Sequence, residues 1–131
     1  MPATTFTVGQ LAADLGVTTR TLRFYEEAGI VSPARSASGA ARVYDARDRA
    51  RLVLALRGKR FGMSLAEIRE IVDMYDAEPG EAGQIRRLLA SLDDVRTDLL
   101  ARREEITRTL DEVHDVAARC RDRLSELGEV P

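Results

Sequence analysis

One cysteine and one histidine, Cys120 and His114, are the only thiol and the only imidazole among 131 residues. An intrachain disulfide is thereby excluded, and a metal centre of the usual nitrogen and sulfur kind is starved of ligands. The two side chains lie six residues apart. That is about 240° around a helix of ~3.6 residues per turn, an offset poorly suited to sharing an ion. No metal site and no cofactor are expected. Catalytic patterns are missing too: there is no metal cluster, no nucleophile–base pair and no glycine loop to cradle phosphates, so an enzyme is the least supported class. Nothing approaches the roughly 20 continuous apolar residues of a membrane span. The N-terminus lacks the basic, apolar, then small-residue order of a secretion signal. A cytoplasmic protein without membrane contact is expected. Internal repeats and low-complexity segments are also absent, and the length suits one compact domain plus an appendage.

Lysine is nearly absent, with Lys59 alone among the 20 basic residues. Arginine forks match phosphates and guanine edges well, but the acidic part of the chain is equally rich in arginine, so the bias reads as a coding habit. Net charge is only −2, yet residues 16 to 60 hold ten basic residues against four acids, a local +6 that leaves −8 elsewhere. A phosphate backbone meets the local field, so the asymmetry points to a polyanionic partner more than the total does. A solvated charged face would give the same count.

Along the chain, Thr7 is placed to cap a short helix whose stripe is Val8, Leu11, Ala12 and Leu15, with Gly16 as its stop. Thr18 caps a second helix over roughly 19 to 28, ending at Gly29. Only Gly16 and Val17 separate the first helix from the second cap, the spacing of a helix-turn-helix unit over 8–28. SPARSASGAARVY then breaks the helical period. Its turn formers Pro33, Ser36, Ser38 and Gly39 lie between Ile30-Val31 and Val43-Tyr44, which read as short strands of a hairpin wing over 31–45. Asp45 caps a third helix to about Phe61, with Leu52, Val53 and Leu56 inward. Ser64 and Glu67 form a capping box for a fourth, with Leu65, Ile68, Val72 and Tyr75 on one side.

AEPGEAG, 77–83, reads as the linker. From Gln84 to Leu127 no glycine or proline occurs, which permits a helix of 44 residues, on the order of 66 Å at ~1.5 Å per residue. Two apolar runs follow coiled-coil spacing: Ile85, Leu88, Leu92, Val95 and Leu99, then Ile106, Leu110, Val113, Ala117, Cys120, Leu124 and Leu127. They join with a stutter near Arg102 and Arg103. A lone stripe of this kind needs a cover, and a second copy of the chain is the simplest one. A break near Asp115 with the last turns folded back is the alternative.

On the second helix, Thr18 and Thr19 stand at the N-terminus, and Thr19, Arg20 and Arg23 share one side while Leu22 points to the core. A recognition helix needs this split, with apolar anchors behind and forked donors in front for base edges and phosphates. A merely solvated amphipathic helix has the same spacing. In the wing, Arg42 and Tyr44 alternate onto one strand face that could follow phosphates. Alternatively, Tyr44 packs on the domain. Arg57, Lys59 and Arg60 end the third helix, where they oppose its dipole, and Lys59 and Arg60 could also clamp phosphates.

FTVGQLAADLGVTTRTLRFYEEAGIVSPAR, RVYD and LRGKRFGMSLAEIREIVDMYD resemble the MerR family of bacterial transcription regulators over residues 5–76, and the long helix fits that family's dimerisation arm. The resemblance implies a mainly α fold, a winged helix-turn-helix followed by a long helix (84–127) in an antiparallel coiled-coil homodimer. It implies an operator in a promoter whose −35 and −10 elements are too far apart, bent and untwisted in response to a small-molecule effector so that RNA polymerase engages both. By position, Arg20, Thr21 and Arg23 would meet the major groove. Tyr25, Arg42 and Tyr44 would hold the backbone, with Lys59 nearer the operator centre. Phe24 stands where some members carry tyrosine, so a hydroxyl contact is lost. Metal-sensing relatives carry cysteines near the start and end of the dimer helix, whereas this chain has only Cys120, within the seam, where packing, thiol sensing and metal binding are the readings in that order. The linker, RGKRFGMSLAEI and the late cysteine are similar to a branch regulating branched-chain amino-acid and acyl-CoA breakdown. Three classes therefore stand: an effector-responsive DNA-binding regulator, an effector-independent DNA-bending protein, and a coiled-coil adaptor. A thiol-redox sensor using Cys120 is a variant of the first.

Overall fold

The computed structural model describes residues 5–35, 39, 41–74 and 80–130. The described residues are mainly helical. In chain order they form β1 (Thr5–Phe6), α1 (Val8–Leu15), α2 (Thr19–Glu27), β2 (Ala34–Arg35), β3 (Arg42–Asp45), α3 (Ala46–Arg60), α4 (Leu65–Asp73) and α5 (Gly80–Glu126). The chain divides into two compact units, Met1–Ser91 and Leu92–Pro131.

Within the first unit the helix ends follow local chemistry. Thr7 closes a capping box with Gln10 at 2.9 and 3.1 Å, satisfying donors that no helical carbonyl reaches. Gly16 stops α1 at φ 68°, a left-handed conformation costly for any side chain with a Cβ. Thr18 caps α2 through Thr21 N–H at 3.1 Å. The two-residue junction between α1 and the second cap therefore has the geometry its spacing suggests. Asp45 and Asp48 make a reciprocal box at the start of α3. Ser64 caps α4, accepting from Glu67 N–H at 3.1 Å. The Glu67 half of the expected box is not formed, because that carboxylate lies 3.5 Å from Arg87 on α5.

The sheet order is β1-β3-β2, antiparallel throughout, with Phe6 opposite Tyr44 and Arg35 opposite Arg42. Two expectations change here. Ile30 and Val31 are not strand but core, at 0% and 3% exposure. The strand partners of β3 are instead Ala34–Arg35 and the N-terminal Thr5–Phe6, which are too short for a period-two signal. The turn residues Ser36, Ala37, Ser38 and Ala40, and Tyr75 with most of the expected linker, lie outside the described residues.

The core of this unit is built from Leu11, Leu22, Tyr25, Ile30, Tyr44, Leu52, Ile71 and Val72, all at 1% exposure or less. Leu65, expected inward, is 38% exposed, and Val53 and Leu56 are only half-buried. Ala55 and Gly58 join Leu52 as the buried face of α3. Arg51 ties the pieces together from inside. Its guanidinium donates to Ile30 O at 2.6 Å, Val72 O at 2.7 Å and Asp73 Oδ1 at 2.6 Å, with only 12% of the side chain exposed.

α5 begins at Gly80, so residues 80–83 are helical and not linker. Its first turns are fastened to α4: Gln84 Nε2 donates to Ile71 O at 2.9 Å and Arg87 pairs with Glu70 at 3.2 Å. This assigns faces. Gly83 and Ser91 are buried, Arg87 and Leu88 are half-buried, and Ile85 and Leu89 are 49% and 58% exposed. Leu88, placed in the expected seam, is thus half-buried in the single chain, whereas Leu89 is outward. With Leu89 in its stead the spacing runs four and three without a break through Ile85, Leu89, Leu92, Arg96, Leu99, Arg103, Ile106, Leu110, Val113, Ala117, Cys120, Leu124 and Leu127. No stutter is required, and Val95, half-buried, falls off the run.

In the second unit Leu99, Ile106, Leu110 and Val113 are 52%, 60%, 62% and 59% exposed. Leu92 is half-buried and Cys120 is an exposed free thiol. The helix continues past Asp115 to Glu126. No helix among the described residues is long and apolar enough to cross a membrane.

Candidate nucleic-acid interface

α2 presents its face because Leu22 and Tyr25, three apart, are drawn into the core. Thr19, Arg20, Arg23 and Phe24 are left outward. Among the described residues neither Arg20 nor Arg23 has an ion-pair or hydrogen-bond partner, so five N–H donors on each remain available. Thr18 and Thr21 are engaged with each other: their hydroxyls are 3.0 Å apart and the Thr18 oxygen already accepts the Thr21 amide. They fix the helix start beneath the arginines, while Thr19 alone of the three threonines is exposed without such a tie.

The basic residues nearby sort into two sets. Arg42 Nε sits 2.7 Å from Glu26 Oε2, an ion pair whose angle falls short of a well-formed hydrogen bond. Glu26, through that side-chain contact first and its charge second, raises the Arg42 pKa further. Arg49 pairs with Asp14 at 2.6 Å and Arg51 is committed inside. Lys59 and Arg60, in the last turn of α3, are exposed. The local excess of positive charge is therefore partly spent within the fold, while Arg20 and Arg23 on α2, Arg35 on β2 and Arg57, Lys59 and Arg60 at the end of α3 stay exposed.

Tyr25 and Tyr44 depart from expectation. They are 1% and 0% exposed, and among the described residues neither hydroxyl has a hydrogen-bond partner. Period two does put Tyr44 on the same strand face as Arg42, but Tyr44 on that face is packed into the core at 0% exposure. Burial pushes both phenols above their ordinary pKa, with the Glu26 charge as a second cause at Tyr44. Neither side chain offers surface to a phosphate in this conformation.

One contact was not legible from spacing. Lys59 Nζ lies 5.4 Å from the centroid of the Phe24 ring. That ring meets Tyr25 edge to face at 5.3 Å and 72°. The pairing joins α2 to the end of α3, and no local sequence pattern reports a meeting of residues so far apart in the chain.

As for small molecules, a cleft of about 150 Å³ is lined by Arg47, Ala50, Arg51, Leu54, Val72 and Gln84. It is smaller than the roughly 300 Å³ at which ligand pockets begin; two more open clefts, of about 380 Å³ beside Ser32, Asp45 and Arg51 and about 460 Å³ beside Ala28, Leu65 and Arg69, are larger. Among the described residues no group of three His, Cys, Asp or Glu side chains is arranged to hold a metal ion.

Two short helices meeting through a two-residue turn, the second outward-facing and arginine-bearing, beside a small antiparallel sheet, define a winged helix-turn-helix protein. Residues 6–75 match the family model described as MerR HTH family regulatory protein, and residues 49–116 match the model described as MerR, DNA binding. The chain belongs to the MerR family and is a DNA-binding transcriptional regulator. It is similar to the HTH-type transcriptional regulator ZntR homolog of Haemophilus influenzae, 33% identical over 63% of this chain, a match spanning 61% of that relative's length. It is also similar to the HTH-type transcriptional regulator CueR of Salmonella typhimurium, 30% identical over 93% of this chain and 78% of that protein. Among solved structures it resembles HiNmlR, a MerR family regulator lacking the sensor domain, bound to promoter DNA. That likeness has a TM-score of 0.65 at 26% identity, over 97% of this chain and 93% of the other.

Proposed function

We infer that this protein acts as a homodimer on an inverted-repeat operator within a promoter of long spacer, bending and untwisting the DNA in response to a small-molecule effector. RNA polymerase is then a partner through promoter geometry alone, and a cytoplasmic location follows from the DNA. Thr19, Arg20 and Arg23 read the major groove from α2, Thr18 and Thr21 hold that helix start, and Lys59 and Arg60 meet phosphates. The observation that carries this reading is the contrast between Arg20 and Arg23, outward and without a partner among the described residues, and Arg42, Arg49 and Arg51, which the fold pairs with carboxylates. A two-fold dimer would present two such helices and hence require a palindromic site. Supporting the dimer is the apolar run of α5, whose Leu99, Ile106, Leu110 and Val113 are exposed in the single chain. An antiparallel partner helix would cover it, and the domain division 5–76, 77–83 and 84–127 becomes one in which α5 starts at Gly80.

Footprinting on the protein's own upstream region tests this directly, repeated with acyl-CoAs, a thiol oxidant and divalent metals. Two protected half-sites with a cleavage pattern altered by one compound are expected, and acyl-CoAs are included because of the narrower resemblance to regulators of acyl-CoA breakdown. An identical footprint under every condition would favour effector-independent bending. No footprint at low salt would favour the adaptor class and remove the reading. A redox-sensing variant has one specific support, the exposed free thiol of Cys120. A footprint altered by oxidant and restored by reductant would establish it.

A further inference from the structure

Phe24 is a large apolar ring, 45% exposed, set among arginines on the outward face of α2. Burial does not explain its size. What its face does meet is the Lys59 ammonium, 5.4 Å from the ring centroid, inside the ~6 Å over which a cation is attracted by the ring quadrupole. The ring is itself held, edge to face, by Tyr25, which is 1% exposed. A line of support thus runs from the core through Tyr25 and Phe24 to the only lysine of the chain.

We propose that Phe24 is a positioning residue for DNA binding, aiming the Lys59 ammonium at a backbone phosphate beside the groove that α2 enters. This rests on the assignment of Lys59 to the DNA backbone. A lysine carries its charge on a flexible four-carbon stem and must be ordered to make a defined contact. The device chosen matters. Glu26 orders Arg42 by an ion pair and so neutralises it. An aromatic face orders a cation while leaving the whole charge for a phosphate, and among the described residues Lys59 has no carboxylate partner.

The test is a double-mutant cycle on the full-length protein, binding an operator fragment in titrations over a range of salt. Phe24→Leu, which keeps an apolar side chain without a π face, is expected to weaken binding about two- to fivefold for each protomer. Phe24→Trp, which keeps the face, restores it. Lys59→Gln is expected to weaken binding and to reduce the slope of log affinity against log salt by about one for each protomer. In the Lys59→Gln background, Phe24→Leu then costs nothing further. Melting temperatures check that each variant is folded. If Phe24→Leu is without effect in the natural background, or if its cost persists undiminished beside Lys59→Gln, the positioning role is overturned. If Lys59→Gln itself leaves affinity and salt slope unchanged, the underlying assignment of Lys59 fails instead, and the positioning role falls with it.

Discussion

Individual side chains show most sharply what their type leaves open. The spacing of Arg20 and Arg23 sets them on one helix side, and they stand there exposed, without a partner among the described residues. The same kind of argument sets Arg42 and Tyr44 on one strand face, correctly, yet cannot say which way the face looks. That is decided by packing from elements distant in sequence, which leave Tyr44 0% exposed. Tyr25 and Tyr44 become core residues with orphan hydroxyls, and this has a measurable consequence. Tyr44→Phe is expected to leave DNA affinity within about twofold and not to lower the melting temperature, since an unmatched buried hydroxyl costs about 1–3 kcal/mol. The pH dependence has a definite sign. Both phenols titrate above their ordinary value in the folded protein, so their contribution is complete below about pH 10. It is lost as pH rises from there through the raised folded value, because the unfolded chain gives up its protons first. Thermal melts between pH 8 and 11 should fall less steeply for Tyr44→Phe than for the natural protein. An equal fall, or a large loss of DNA binding, would return Tyr44 to the interface.

At the level of elements, caps and stops were legible and faces less so. Thr7, Gly16, Thr18, Asp45 and Ser64 end or begin helices through chemistry confined to three or four residues, which a sequence displays directly. The buried face of α3 was harder, because it uses Ala55 and Gly58 beside Leu52 and leaves the larger Val53 and Leu56 half-buried. Smallness is required there: a Cβ on Gly58 would lie 2.9 Å from Ile68 Cγ1, and Ile68 is 3% exposed. Gly58→Ala should therefore destabilise the protein by about 1 kcal/mol or more, overpacking outweighing the roughly 1 kcal/mol of helix propensity that alanine brings. A lower melting temperature in calorimetry is expected, and a higher one would mean that α3 and α4 have room to part. α5 makes a related point. Leu88 and Leu89 are equivalent in composition, and only the fastening of Gln84 and Arg87 to α4 decides that Leu89 is the outward one.

For the whole molecule, the proposed dimer needs a seam on α5 that a second copy covers. Leu89→Glu places a charge in that seam, where the lost leucine burial alone is worth about 1.5–3 kcal/mol on each protomer. Sedimentation should show the natural protein as a dimer at micromolar concentration and Leu89→Glu shifted towards the monomer. A variant that stays fully dimeric would place Leu89 outside the interface. Under the proposed function a dimer would read a palindrome through the guanidinium groups of α2. The most direct measurement is therefore a titration of operator and of unrelated duplex DNA, at one salt concentration, with the natural protein and with Arg23→Ala. A bidentate contact to a base is worth about 1–3 kcal/mol. Operator affinity should thus fall by at least about tenfold while affinity for unrelated DNA changes far less. An operator affinity left unchanged by Arg23→Ala, or an equal loss on both duplexes, would contradict the assignment of α2 as the helix that reads sequence.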